Sequence, residues 1–172
     1  MTELVSSIKI RPFKISDLND VNAYASNPKT TKYMLWGPNT IEDTQNFLNY
    51  VLSNYQKDPV THFEYGIEYQ GKIIGGIGLI INYENNSAEI GWILNEAYQR
   101  QGFTYEAAKQ MIEIARSLGV KSIHATADSR NVASYKLMEK LGMVHISTSK
   151  GTRLNKETNQ YELDQVYYEM LL

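Results

Sequence analysis

The sequence predicts an α+β protein in which a mixed sheet carries helices on its faces. Three strand-like runs separated by short turns lie between His62 and Leu94, as in an antiparallel meander. The apolar spacing changes to a helical period at Thr104, and strand and helix patterns alternate from there onward. The 172 residues contain no Pro-rich or Ser-rich linker, so we expect a single domain over residues 1–172.

The first half is predicted to form a strand, two helices and the meander. Ser16 is a candidate N-cap for a short helix that must end before Pro28. Thr40 and Asp43 form a capping-box variant ahead of apolar residues at helical spacing, from Phe47 to Tyr55. Strands are predicted at Ile8–Phe13, His62–Tyr69, Lys72–Ile81 and Ala88–Leu94, with turns at Gln70-Gly71 and Tyr83–Ser87.

The second half alternates between helices and strands. One helix begins near Gly102, buries a face that repeats from Ala108 to Leu118, and stops at Gly119. A second helix is predicted at Asn131–Leu141, closed by Gly142, and strands are expected at Lys121–Ala127, Met143–Ser149 and Gln165–Leu171.

Composition excludes several classes of function. Lys and Arg number 17 against 19 Asp and Glu, so no broad basic face is available and we expect no nucleic-acid partner. The absence of cysteine removes disulfides, thiolate zinc sites and a cysteine nucleophile, and with three scattered histidines we expect no metal. The first residues do not form a signal peptide and no apolar run reaches membrane-spanning length, which favours a cytoplasmic protein without a membrane partner.

The junction after Leu94 is the most informative segment. A helix start presents unpaired N–H groups and partial positive charge, which suits a phosphate or pyrophosphate. Arg100 adds a cation, and Gly102 allows close approach of the backbone, although glycine is also common in any strand-to-helix turn. Neither the P-loop nor the dinucleotide-binding glycine pattern fits the spacing.

The run Gln99-Arg100-Gln101-Gly102-Phe103-Thr104 resembles the Q/R-x-x-G-x-G/A acetyl-CoA loop of the GNAT superfamily of N-acetyltransferases. The blocks Ala88–Trp92 and Asn131–Met143, before and after it, resemble the ribosomal-protein N-terminal acetyltransferase branch. The resemblance covers nearly the whole chain and implies a mostly antiparallel central sheet with helices on both faces, in three layers. The sequence departs from the family at Thr104, where Gly or Ala is usual, and at Met138, where many members have a tyrosine.

The resemblance implies acetyl-CoA as co-substrate. Asn131 would form a hydrogen bond with the pantetheine amide. A role as the N-cap of its helix explains this residue equally well, and the two roles are compatible. Ser134 would assist departure of the thiolate, and its alternative role is a small polar residue at a helix start. The residues expected to contact acetyl-CoA are Ile93, Leu94, Gln99, Arg100, Gln101, Gly102, Phe103, Thr104, Asn131 and Ser134.

Acetyl transfer to an amine also requires a base and a pocket for the acceptor. Glu89, on the strand leading to the loop, is the first candidate base and Glu64 the second. The alternative for both is a solvent-facing or ion-paired strand position. By resemblance, Tyr33, Trp36 and Tyr65 shape the acceptor pocket, as an aromatic wall for a peptide N-terminus or an amine-bearing small molecule.

Three hypotheses follow for the function. The first is acetylation of a protein N-terminal amine, and the second is acetylation of a small amine such as a polyamine, an amino acid or an aminoglycoside. The third is a non-catalytic CoA-binding sensor, motivated by Thr104 and Met138. Because the chain lacks cysteine and any motif that pairs serine with histidine, we expect direct transfer, by a monomer or a homodimer.

Overall fold

A seven-stranded sheet forms the centre of the computed structural model, which describes residues 8–172. Its spatial order is β1-β2-β3-β4-β5-β7-β6. The pair β4 and β5 is parallel and the other five neighbouring pairs are antiparallel, which confirms the predicted class and sheet type. The strands are β1 (Lys9–Pro12), β2 (His62–Tyr69), β3 (Lys72–Asn82), β4 (Ser87–Leu94), β5 (Ser122–Asp128), β6 (Val144–Asn155) and β7 (Gln160–Leu171).

Helices cover both faces of the sheet. The larger core joins Met111 and Met138, from the fourth and fifth helices, to one face. A smaller core joins Val21 and Leu48, from the first and third helices, to the other face. None of the helices within residues 8–172 is long and apolar enough to span a membrane. The helices are α1 (Leu18–Ala25), α2 (Pro28–Thr31), α3 (Ile41–Asn54), α4 (Phe103–Ser117) and α5 (Val132–Lys140).

Local sequence signals fix several element ends as predicted. The Asp43 N–H donates to the Thr40 hydroxyl and the Thr40 N–H donates to the Asp43 carboxylate, which completes the capping box of α3. Gly119 and Gly142 follow the ends of α4 and α5 with φ values of 81° and 100°. These left-handed conformations favour glycine, so both stops are explained by the residue itself.

The start of α1 differs from the prediction. Ser16 lies inside a short 3₁₀ turn, Ile15–Asp17, and does not cap the helix, which begins at Leu18. The Asp17 carboxylate accepts the Lys14 N–H at 2.7 Å and pairs with the Arg11 guanidinium at 2.9 Å. The Asp17 carboxylate therefore fixes this turn by binding both the Lys14 N–H and the Arg11 guanidinium. The local sequence pattern does not reveal the pairing with Arg11.

The last two strands are longer than predicted. β6 continues past Ser149 to Asn155 and β7 begins at Gln160, and before Gln165 β7 pairs with β6 but not with β5. We call this two-stranded extension, residues 150–164, the β6–β7 ribbon. Its residues are mostly polar and its register shifts, so it lacks the apolar alternation that marks a strand resting on a core.

Candidate active site

The loop between β4 and α4 has the backbone shape of an anion site. Arg100 and Gly102 are left-handed, with φ values of 63° and 83°, and α4 begins at the next residue, Phe103. The Gln99 side chain closes the loop by donating to the Leu94 carbonyl at 3.0 Å. Left-handed residues at a helix start turn successive N–H groups toward one point, which is the arrangement that binds phosphates.

Gly102 is required here by its conformation. A Cβ added at Gly102 would find no atom within 4 Å, so crowding within the protein does not explain the glycine. Next to it, Phe103 is buried against the Tyr69 ring at 4.6 Å between centroids and anchors the start of α4. Thr104 is half-buried in the first turn, where its N–H is among those without an intrahelical acceptor.

A gap opens beside this loop because β4 and β5 separate. The two strands pair over Ser87–Glu89 and Ser122–His124, and no ladder joins them beyond Glu89 in the part of the chain that the structure describes. Ile93 and Leu94 lie on the separated part of β4. An open strand edge can pair with an extended ligand as an added strand would.

The start of α5 lies at the same end of the sheet, because α5 follows β5 as α4 follows β4. Asn131 is the N-cap of α5 and its side chain accepts the Ser134 N–H at 3.3 Å. The predicted pair Asn131 and Ser134 is therefore in contact. Met138 is buried in the core, which keeps it out of the gap. Lys140, at the end of α5, lies over the Tyr105 ring at 4.2 Å, beside the first turn of α4.

A cavity of about 540 Å³ lies on the face of the sheet that α1 and α3 cover, and β2, β3 and β4 form its floor. Glycines at three floor positions, Gly76, Gly78 and Gly91, remove the side chains that would otherwise fill it. Most of the remaining walls are apolar. They comprise Val21, Tyr24, Ala25, Met34, Trp36, Asn39, Phe47, His62, Glu64, Ile80, Glu89, Trp92 and Ile93.

Glu64 lies on the floor directly over Gly78. A Cβ at Gly78 would come within 2.7 Å of a Glu64 carboxylate oxygen, so glycine is needed for this placement. His62 Nε2 is 3.4 Å from Glu64 Oε1, and His62 Nδ1 is 3.4 Å from the Tyr50 hydroxyl. Glu64 is thus a mostly buried carboxylate held by a histidine that connects it toward the surface.

Glu89 provides the second carboxylate of this cavity. Its Oε2 is 3.4 Å from His124 Nε2, and the His124 ring stacks on Tyr167 at 5.3 Å. The hydrogen bond from His124 lowers the pKa of Glu89, so this half-exposed carboxylate stays ionised at neutral pH. Within residues 8–172, no three His, Cys, Asp or Glu side chains lie close enough together to hold a metal ion.

The three predicted aromatic residues do not lie together. Trp36 lines the large cavity, whereas Tyr33 lines a smaller neighbouring cavity. Tyr65 packs against Phe63 and Tyr55 and lines neither cavity. Side chains alternate along a strand, so placing Glu64 in the cavity turns Tyr65 to the opposite face of β2.

Sequence reasoning missed most of the cavity walls. Tyr24 and Phe47 come from α1 and α3, and Met34 comes from the loop between α2 and α3. The only sequence signal for the floor is the glycine content of β3, Gly75-Gly76-Ile77-Gly78, which is unusual for a central strand. The other walls could not be predicted because the segments that form them lie far apart in the sequence.

The site thus has an anion-binding loop on one side of an open strand edge and an acidic, apolar cavity on the other. These features suit a protein that binds an anionic cofactor on one side and a cationic group on the other. Comparison with known proteins agrees, since a family model described as an acetyltransferase (GNAT) domain matches residues 7–144. The chain belongs to this family, and it is an acetyl-CoA-dependent N-acetyltransferase, as the resemblance implied.

Individual relatives support the same assignment. The chain is 31% identical over 135 residues to YnaD, an uncharacterized N-acetyltransferase of Bacillus subtilis (strain 168), a match that covers 78% of this chain and 77% of YnaD. A GNAT-family acetyltransferase from Bacillus anthracis has a TM-score of 0.81 at 28% identity, covering 95% of this chain and 94% of that chain. RimL, a ribosomal L7/L12 α-N-protein acetyltransferase, has a TM-score of 0.85 at 18% identity, covering 97% and 91%, which is a similarity of fold.

Proposed function

We propose that this protein transfers an acetyl group directly from acetyl-CoA to a primary amine, with a polypeptide N-terminus as the first candidate acceptor. The observation that carries this proposal is the pair of carboxylates, Glu64 and Glu89, in an otherwise apolar cavity beside the open edge of β4. Carboxylates attract an ammonium group, and apolar walls accept the side chain next to it.

For the cofactor, we assign the phosphates to the N–H groups of the loop from Gln99 to Thr104, with Arg100 as the nearby cation. The backbone of Ile93 and Leu94 would pair with the pantetheine arm, and the same open edge would polarise the thioester carbonyl. Asn131 would bond the pantetheine amide. The left-handed loop and the separation of β4 from β5 support these roles.

For the reaction, we assign Glu89 as the proton acceptor and His124 as the positioning residue that keeps the Glu89 carboxylate ionised. The ammonium group gives one proton to Glu89, the freed nitrogen attacks the carbonyl carbon, and the C–S bond breaks. The second proton lost by the nitrogen ends on the departing sulfur, which leaves as the CoA thiol. Ser134 donates a hydrogen bond to the departing sulfur. Since the hydrogen bond from His124 lowers the pKa of Glu89, the carboxylate is ionised and able to accept the proton at neutral pH. Glu89 is half-exposed, so it can then release this proton to water.

A small amine is the second candidate acceptor. The volume of about 540 Å³ is in the ordinary range for small-molecule sites, and the aromatic walls would enclose one compact group. The experiment that decides is release of CoA thiol from acetyl-CoA with a panel of N-terminal peptides and a panel of small amines. Turnover with peptides alone supports the first acceptor, and no turnover with any amine contradicts the enzyme and favours a CoA sensor.

The assignment of Glu89 is tested with a matched pair of variants. Glu89→Gln should lower kcat about 100-fold or more, the scale of general-base catalysis, with unchanged affinity for CoA. Glu64→Gln should mainly raise the KM of the amine. The assignment is contradicted if Glu64→Gln, and not Glu89→Gln, causes the large loss of kcat.

Direct transfer and the role of Ser134 have separate tests. Ser134→Ala should lower kcat about 10-fold, because a sulfur leaving group in a partly dry site loses its hydrogen bond. CoA affinity should change little, since Asn131 and the loop remain. Wild-type kcat in this variant across the pH range would remove the serine from the mechanism, and ping-pong kinetics would overturn direct transfer.

A further inference from the structure

A second cavity, of about 210 Å³, lies between the loop after α2 and the β6–β7 ribbon. Its walls carry more positive than negative charge. The cations are Lys32, Arg130, Arg153 and Lys156, and the carboxylates are Asp128 and Glu157.

Two of these cations are held by neutral atoms. Arg153, only 8% exposed, donates to the Gln165 side-chain oxygen at 2.9 Å and to the Tyr33 carbonyl at 3.1 Å. The Lys156 ammonium donates to two carbonyls, those of Thr31 and Trp36. Among residues 8–172, neither Arg153 nor Lys156 has a carboxylate oxygen within 4.0 Å.

The nearby carboxylates of this cavity make no direct ion pair with Arg153 or Lys156 among the described residues. Asp128 is buried and already engaged by Arg130, with Nε and Nη2 at 3.0 and 2.8 Å from its oxygens. Glu157 is exposed, and Lys32 lies over the Tyr33 ring without a carboxylate partner among the described residues. Burial lowers the pKa of both Arg153 and Lys156 and outweighs the attraction of Asp128 and Glu89 on Arg153 and of Glu157 on Lys156. Arg153 is a buried cation without a carboxylate in direct contact, and buried charges in proteins are normally paired, so this cavity favours an anion.

The second cavity adjoins the first. Met34 lines both, and Trp36, which lines the large cavity, is held through its carbonyl by Lys156. An acceptor whose amine lies at Glu64 and Glu89 would reach the cationic cavity if it is long enough to pass Met34.

We propose that this second cavity binds an oxyanion at the far end of the acceptor, so that the acceptor is an amine that also carries a carboxylate or a phosphate. The inference rests on the proposed function, because it assigns a second recognition group to the same acceptor. The two cavities have opposite charge, and they would orient such an acceptor with its amine toward the gap between β4 and β5.

The test uses acceptors in pairs that differ only in the oxyanion. One arm compares peptides with Glu or Gln at the second and third positions, a second compares arylalkylamines with and without a carboxylate, and a third replaces that carboxylate with a phosphate. In the wild-type protein, the acidic member of at least one arm should have a kcat/KM about 10-fold higher, and the arm identifies the source of the oxyanion. Equal kcat/KM within every pair would overturn the proposal.

Two variants and one control locate the effect. Lys32→Gln, at an exposed position, should reduce the preference for the acidic member severalfold while kcat/KM for the neutral member changes less than twofold. Lys156→Met should also reduce the preference severalfold, and it should lower kcat/KM for both members because Lys156 holds the carbonyl of Trp36, which lines the large cavity. Lys57→Gln, on a surface away from both cavities, should leave the preference intact. The assignment is contradicted if both cavity variants keep the preference for the acidic acceptor. Lys32→Gln changes an exposed side chain, so this test remains valid even if Lys156→Met folds poorly.

A readout without turnover separates this inference from the proposed function. With saturating CoA present, inorganic phosphate should raise the melting temperature of the wild-type protein more than that of Lys32→Gln. If no amine is acetylated but this difference is observed, the anion site stands and the proposed function fails. If amines are acetylated and phosphate stabilises both proteins equally, the anion site fails alone.

Discussion

The two sides of the gap between β4 and β5 are built in different ways. On the cofactor side, the part that we propose for the phosphates is one continuous segment, Gln99–Thr104, whose left-handed backbone and helix start are local properties. The acceptor side brings together residues from α1, α3 and three strands, with loop residues between them. A fold can therefore keep its cofactor site while its acceptor cavity changes, which is why family membership identifies the reaction and leaves the acceptor open.

The two sides also differ in charge. The cofactor loop offers backbone N–H groups with Arg100 and Lys140 nearby, whereas the large cavity offers Glu64 and Glu89. This separation matches anionic phosphates to one side and an ammonium group to the other. If the comparison is right, substitutions on one side should change the binding of one substrate only.

The largest expected effect is at Gly102. Gly102→Asp should weaken CoA binding about 100-fold by calorimetry, because a left-handed residue with a Cβ costs about 1–2 kcal/mol and the added charge opposes the phosphates. Gly102→Asn, which tolerates this conformation better and carries no charge, should lose much less. Unchanged CoA affinity in Gly102→Asp would remove the loop from the cofactor site.

A matched pair of glycines tests the acceptor side. Gly91→Ala places a methyl group into open space in the large cavity and should raise the KM of the amine about 10-fold, the scale of one extra carbon in a fitted pocket. Gly78→Ala must also displace the Glu64 carboxylate, so its loss of kcat/KM should be larger. CoA affinity should stay at the wild-type value in both, and a parallel loss of CoA binding would contradict the division of the site into two sides.

The pH dependence tests the pairing of Glu89 with His124. Because His124 lowers the pKa of Glu89, the ionised carboxylate persists to lower pH in the wild-type protein. His124→Gln removes that hydrogen bond, so the pKa of Glu89 rises toward its ordinary value and kcat/KM should begin to fall at a higher pH. His145→Gln, which lines neither cavity, is the control, and identical acid limbs in all three proteins would exclude the pair from the mechanism.

The smallest expected effect is at Thr104. If its methyl group crowds the loop, Thr104→Ala should tighten CoA binding by about 1 kcal/mol or less, and Thr104→Ser should do the same. Weaker binding in Thr104→Ala together with wild-type binding in Thr104→Ser would show instead that the hydroxyl contacts a phosphate. Calorimetry on the two variants separates these outcomes.

Much of the fold, and the loop that we propose for the cofactor, could be predicted from the sequence because they depend on neighbouring residues. The capping box at Thr40 and Asp43 and the left-handed stops at Gly119 and Gly142 depend on residues within a few positions of one another. The β6–β7 ribbon was missed because its polar residues do not rest on a core. The predicted start of α1 was wrong because Asp17 forms an ion pair with Arg11, which lies on β1.

The sequence by itself determined the class of the fold and the family, since these depend on periodicity and on short motifs. It also predicted the loop that we propose for the cofactor. Only the tertiary structure decided which side chains meet over the sheet. Strand register places Glu64 over Gly78 and turns Tyr65 away, and the ribbon brings Arg153 and Lys156 to the loop of Tyr33 and Trp36. The contacts of Arg153 and Lys156 join residues that are 120 or more positions apart in the sequence. No local sequence pattern carries information about a partner at that separation.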